Sequence, residues 1–193
     1  MVMKRILLLA GLALGAAAVA PAQDGFNWDG RPETLFMPKT DVVSTDKSFA
    51  ELTKKALLLL RLGVKRADEN ATDEWTKTYN KELSDELTFM VNDLDDSLRR
   101  AGLELGETKL SKTQQKFYND FVRGGSFDMS YVSYTRDLTA GAATLFAAFI
   151  KQGTNTELRG FAVKNRTRLL YFNRLAKERA TQMGIDKKKG NDF

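Results

Sequence analysis

Two apolar stripes at helical spacing, separated by a corner of a few residues, constrain this chain more than any other feature. Within 126–184, Phe127, Tyr131, Leu138, Ala142, Leu145 and Phe149 recur at steps of three, four and seven. After Gly153-Thr154-Asn155 the pattern resumes with Leu158, Ala162, Leu169, Phe172 and Ala176. Residues three and four apart share one face of a helix. A corner this short turns the second helix back along the first. The stretch therefore predicts an antiparallel helix pair over 127–152 and 156–183, and the rest of the chain must fit around it.

All three prolines, Pro21, Pro32 and Pro38, lie in the first fifth of the sequence, so no proline interrupts the chain beyond that point. A first helix is expected over 46–67, capped by Ser44 or Thr45, with Phe49, Leu52, Ala56, Leu59 and Gly63 facing inward. Leu57, Leu58, Leu60 and Leu62 widen that stripe, which marks this helix as the most buried. A second helix is expected over 73–101, from Trp75 and Tyr79, placed to seal one end, through Leu83, Leu87, Met90, Leu94 and Leu98 to a stop at Gly102. The connection 102–125 contains Ser111-Lys112-Thr113-Gln114, a capping box, because Ser and Gln three apart satisfy each other's free amides. A short helix to 123 follows, burying Phe117, Phe121 and Val122. Gly124-Gly125 stops it, and Ser126 is placed to cap the next helix. A connection of this length is able to cross a bundle. The expected fold is all-α: a four-helix bundle over 46–184 with one long crossover containing a short helix, then a charged tail over 185–193.

The start of the chain reads as an export signal. Lys4 and Arg5 precede an apolar run over 6–20, and Ala20-Pro21-Ala22 places small residues where a signal peptidase reads. The run is too short and too rich in Ala and Gly to favour a membrane anchor. A signal peptide over 1–22 is expected, with the mature chain starting at Gln23. An extended arm over 23–45 follows. It carries Phe26, Trp28, Phe36 and Met37, more aromatic surface than a solvated linker holds. Phe26, Trp28 and Phe36 either pack on the chain's own helices or dock on a partner. The expectation adopted is docking, because the four stripes look complete without a further cover.

Residue types exclude much chemistry. The chain has no cysteine, hence no disulfide and no thiolate metal site, and no histidine, the commonest general base and transition-metal ligand. No serine sits in a Gly-x-Ser-x-Gly turn. An all-oxygen metal site would have to use Glu82, Asp85, Glu86, Asp93, Asp95 and Asp96, but Leu83, Leu87, Met90 and Leu94 claim the inner face, so most of these acids are expected in water. Without Lys4 and Arg5, the only charges before Asp24, the formal charge falls from +5 to +3. The second helix is acidic and the last is basic, so the two are expected to lie side by side with their fields offset. The other reading is a basic face for an anionic envelope polymer or lipid headgroups. Ala140-Gly141-Ala142-Ala143 is a small-residue patch that would admit a close helix.

With these elements placed, the chain resembles the secreted bacterial proteins of the domain-of-unknown-function 4142 family. Phe127-Asp128-x-x-Tyr131-Val132 is similar to that family's opening motif, with Asp137, Ala140 and Leu145-Phe146 following in register. Gly153-x-Asn155 and Glu157-Leu158-x-x-Phe161-Ala162-x-Lys164 resemble its corner and next helix, and Leu62-Gly63 its LG pair. The resemblance covers about 48–183 and implies a ferritin-like four-helix bundle. The family carries histidines after an acidic residue on the inner helix faces. Those positions fall here at Glu86 or Leu87, at Leu138 and at Phe172, so the histidines' role, metal binding included, does not transfer.

The reading is therefore a non-catalytic, exported structural or adaptor protein without cofactor or metal, in the periplasm or cell envelope. Its partners would be other envelope proteins or itself as an oligomer, with peripheral association to the outer membrane or surface layer and no nucleic acid. The alternative is a periplasmic binding protein for a small ligand or an anionic envelope polymer.

Overall fold

The computed structural model describes residues 32–36 and 45–185. Among these the chain is all-helical: a 3-10 helix, Pro32–Leu35, then α1 (Asp46–Asn70), α2 (Glu74–Arg100), α3 (Lys112–Val122), α4 (Phe127–Gln152) and α5 (Thr156–Gln182).

Local chemistry sets the ends. Thr45 caps α1 by accepting from the Ser48 amide at 3.0 Å. Asp73 caps α2 and Asn155 caps α5, the latter accepting from the amides of Glu157 and Leu158. The Ser111–Gln114 capping box forms in both directions. Gly102, at φ 64°, ends α2 in a left-handed turn in which the Leu103 amide donates to the Leu98 carbonyl. Ser126 makes no side-chain cap, contrary to expectation. The nearby carboxylate of Asp128 is spent elsewhere, accepting from Thr72 Oγ1 at 2.6 Å. Helix α1 runs to Asn70 rather than 67, where Asn70 Nδ2 bonds back to the Arg66 carbonyl.

The ends also fix direction. Asp46, at the start of α1, accepts from the amides of Thr154 and Asn155 in the corner between α4 and α5. Arg100, at the end of α2, pairs with Glu157 at the start of α5. At the opposite end, Thr72 meets Asp128 at the start of α4, and Asp73 meets Arg179 near the end of α5. Helices α1 and α5 therefore run one way and α2 and α4 the other. The connection 101–126 climbs from one end of the molecule to the other. Helix α4 packs on α5 and α1, and α2 packs on α1 and α5.

Two expectations are corrected. The most buried helix is α4, not α1: 16 of its 26 residues are buried against 10 of 25 in α1. Helix α4 is covered by α1, α5, α3 and the 3-10 helix, whereas Leu58 and Leu62 of α1 stay half-exposed. The arm is also not extended throughout, and part of it belongs to the core. Phe36 and Leu35 are buried, and the Leu35 carbonyl accepts from Gln114 Nε2 of α3 at 2.9 Å. What approaches Gly141 is this 3-10 turn rather than a long helix. A Cβ there would lie 2.4 Å from the Pro32 carbonyl oxygen, so only glycine admits the turn.

Candidate functional site

The interior is filled. Leu87, Leu138 and Phe172 are all buried in the hydrophobic core. Phe172 meets Tyr79 edge-on at 5.6 Å, and Tyr79 Oη donates to the Phe172 carbonyl at 3.3 Å. Tyr134 Oη donates to the Leu59 carbonyl at 2.7 Å. Tyr131 donates to Asn80 Oδ1, and Asn80 Nδ2 donates in turn to Asp68 at 2.7 Å. Burial pushes all three phenols above their ordinary pKa of 10, so they stay neutral donors that hold helices together. Among the described residues no three His, Cys, Asp or Glu side chains converge in a way that could hold an ion.

The polar and apolar groups left over gather along α2 and α5. Their facing charges form ion pairs. Lys164 Nζ lies 2.7 Å from Asp93 Oδ2, Arg168 Nε 3.1 Å from Glu86 Oε2, and Arg179 Nη2 2.9 Å from Asp73 Oδ1. Desolvation raises the Asp93 carboxyl, but hydrogen bonds from Lys164 and Asn165 and the charges of Lys164 and Arg168 outweigh it. Its pKa therefore falls below the ordinary 3.8. At Asp73, desolvation likewise loses to the Thr76 amide and to Arg179, whose guanidinium also lies over the Trp75 ring at 5.5 Å. The acidic helix and the basic helix thus lie side by side and neutralise each other along their seam.

Above that seam lies an open groove of about 470 Å³ lined by Glu82, Asp85, Glu86, Thr167, Arg168, Tyr171 and Phe172. Glu82 and Asp85 are exposed, and among the described residues neither has an ion-pair partner. Phe89 is 59% exposed, Val163 55%, Tyr171 46% and Leu170 41%. Of the exposed large apolar side chains among the described residues, only Val122 lies outside α2 and α5, and its expected burial is corrected: α3 buries Phe117 and Phe121 but leaves Val122 exposed. The sequence carried a signal for these residues. Phe89 stands beside the Leu87–Met90 stripe rather than on it, and Val163 and Leu170, seven apart, follow the inward Ala162 and Leu169 by one residue.

Of the arm residues assigned to a partner, Phe26 and Trp28 lie outside the described residues. Phe36 is corrected: at 1% exposed it is enclosed by its own chain and offers no surface to a partner. No family model, no curated protein and no solved structure matches this chain. No helix among the described residues is long and apolar enough to cross a membrane.

Proposed function

We propose that this is a non-catalytic structural or adaptor protein, a ferritin-like four-helix bundle with one crossover, that works through its outer surface. One observation supports the reading above others. The inner positions hold leucine and phenylalanine packed into one core, while large apolar side chains remain outside on α2 and α5. A chain that spends its interior on packing has its surface left for recognition. The helix directions described above, with the connection 101–126 climbing the molecule, fit the bundle and the resemblance to the domain-of-unknown-function 4142 family. In this reading residues 1–22 are a signal peptide, 46–184 the helical body and 185–193 a charged tail. The protein acts in the periplasm or cell envelope as a subunit or accessory of a complex. Phe26 and Trp28 attach it, and the 32–36 segment anchors them to α4.

The test is recovery from gently solubilised envelope fractions of expressing cells. A structural subunit is recovered in a stoichiometric complex and begins at Gln23 by intact mass. Retention of Met1 in that fraction overturns export, and recovery of the chain in the cytosolic fraction overturns the envelope role.

A second reading, a periplasmic binder of a small ligand or an anionic envelope polymer, draws support from the 470 Å³ groove. Its acidic wall favours a cationic small ligand over a polyanion. A binder would be recovered alone, without stoichiometric partners.

A further inference from the structure

We infer that the outer face of α2 and α5 is a contact between two copies of this chain, related by a two-fold axis lying in that face along the helices. The partner follows from charge and register. In a two-fold contact the same patch meets itself, so it must be self-complementary. Helix α2 presents Glu82 and Asp85 outward, without ion-pair partners among the described residues, and α5 presents Lys164 and Arg174, which pair within the chain with Asp93 and Glu178 and stay more than half exposed. An axis across the helices would set α2 on α2 and α5 on α5, acid on acid and base on base. An axis along the helices sets each α2 on the other copy's α5, which joins opposite charges.

Register then places the apolar groups. Such an axis preserves height, so a residue of α2 meets the part of α5 it already stands level with in its own chain. Glu86 is level with Arg168 and Asp93 with Lys164. Phe89 is therefore level with about residue 166 or 167 at the helical rise. Phe89 of each copy comes down on Thr167 of the other, with Tyr171 one turn to one side and Val163 one turn to the other. Asp85 comes down within about a turn and a half of Arg174. Gly160 lies on the same outward side of α5. A Cβ there would meet nothing in the chain, so its own fold does not require a glycine at that helical position. A close-packed second copy supplies the reason. The inference rests on the same exposed side chains as the function proposed above but not on export or the envelope, so a failed dimer leaves the envelope-recovery test untouched and a failed recovery leaves the dimer untouched.

Because the chain has no cysteine, introduced thiols are the only ones present. Phe89→Cys and Thr167→Cys are made as separate variants of the purified protein, then oxidised singly and as a mixture. The mixture should give a covalent dimer, since a disulfide needs Cα atoms within about 7 Å. Each variant alone should crosslink far less, because the axes of like helices stand roughly 13 Å apart across the diagonal of four packed helices, against about 9 Å for α2 and the facing α5. By sedimentation the wild type should be dimeric, and Phe89→Glu monomeric with unchanged helicity. Asp85→Arg and Arg174→Asp should each weaken the dimer about tenfold or more, and the two together should restore it. A monomeric wild type, no mixed product, equal crosslinking of a single variant with itself, or an unchanged Phe89→Glu dimer overturns the inference.

Discussion

Helices α4 and α5 are consecutive, similar in length and packed on each other, yet they are built on opposite terms. Helix α4 buries 16 of 26 residues and α5 only 9 of 27. Helix α4 carries small polar groups into the interior by bonding them to its own turns. Thr135 Oγ1 donates to the Tyr131 carbonyl at 2.8 Å, and Thr139 Oγ1 to the Thr135 carbonyl at 2.7 Å. Helix α5 buries one stripe and sends its cations out to α2 and to water. Where its polar residues are buried they clip it to neighbours: Asn173 Nδ2 donates to the Arg136 carbonyl of α4 at 2.7 Å, and Asn165 Nδ2 to Asp93 of α2 at 3.2 Å. A hydroxyl that bonds within its own turn tolerates cover from any side. A guanidinium does not. The difference teaches which helix is the hub and which the surface.

The largest expected effect tests the depth of the shared core. Phe172→Ala should cost about 3–5 kcal/mol and Leu138→Ala about 2–5 kcal/mol in denaturant unfolding. A loss under about 0.5 kcal/mol at Phe172 would mark it as a surface position and break the comparison. Next comes the cover over α4. Gly141→Ala should cost about 1–3 kcal/mol, because the added methyl meets backbone at Pro32 rather than a movable side chain. It should also open residues 32–36 to limited proteolysis. A neutral Gly141→Ala would mean that the strap is not held there.

The seam between α2 and α5 should matter less. Asp93→Asn should cost about 1 kcal/mol, as for a half-exposed ion pair. Asp73 and Asp93 have folded pKa values below the ordinary 3.8, so their stabilisation is full above that value and is lost as pH falls through the lower folded value. With no histidine in the chain, Tm should stay nearly flat between about pH 5 and 8 and drop below about pH 4. A step near pH 6.5 in a thermal melt would contradict this. The smallest effect is on the outside of α5. Leu170→Ser should change stability by no more than about 0.5 kcal/mol. A larger loss, measured in the monomeric Phe89→Glu background, would mean α5 is covered on that side by its own chain as α4 is.

Much of the fold was legible because its causes are local. The stripes on α4 and α5, the Thr45 cap, the Ser111–Gln114 box and the stop at Gly102 depend on residues within a few positions of one another. The offset of acidic α2 by basic α5 was legible too, since charge runs along whole helices. The exposed Phe89, Val163 and Tyr171 were not singled out, because a stripe shows what faces in and leaves the remainder undivided.

By itself, then, the sequence determined the all-helical class, the helix ends apart from that of α1, the antiparallel pair at the C-terminus and an interior without histidine or cysteine. Only the tertiary structure decided that α4 is the hub, that Phe36 belongs to the core rather than to a partner, and that Asp46 and Asp128 clip distant ends together. Asp46 meets Thr154 across 108 positions and Asp128 meets Thr72 across 56. The reason is physical. Small neutral residues such as those beside Gly141 are compatible with water or with cover, and a carboxylate caps whichever amide the fold brings to it. Which of these happens depends on the approach of segments far away in the chain, and no local pattern encodes that.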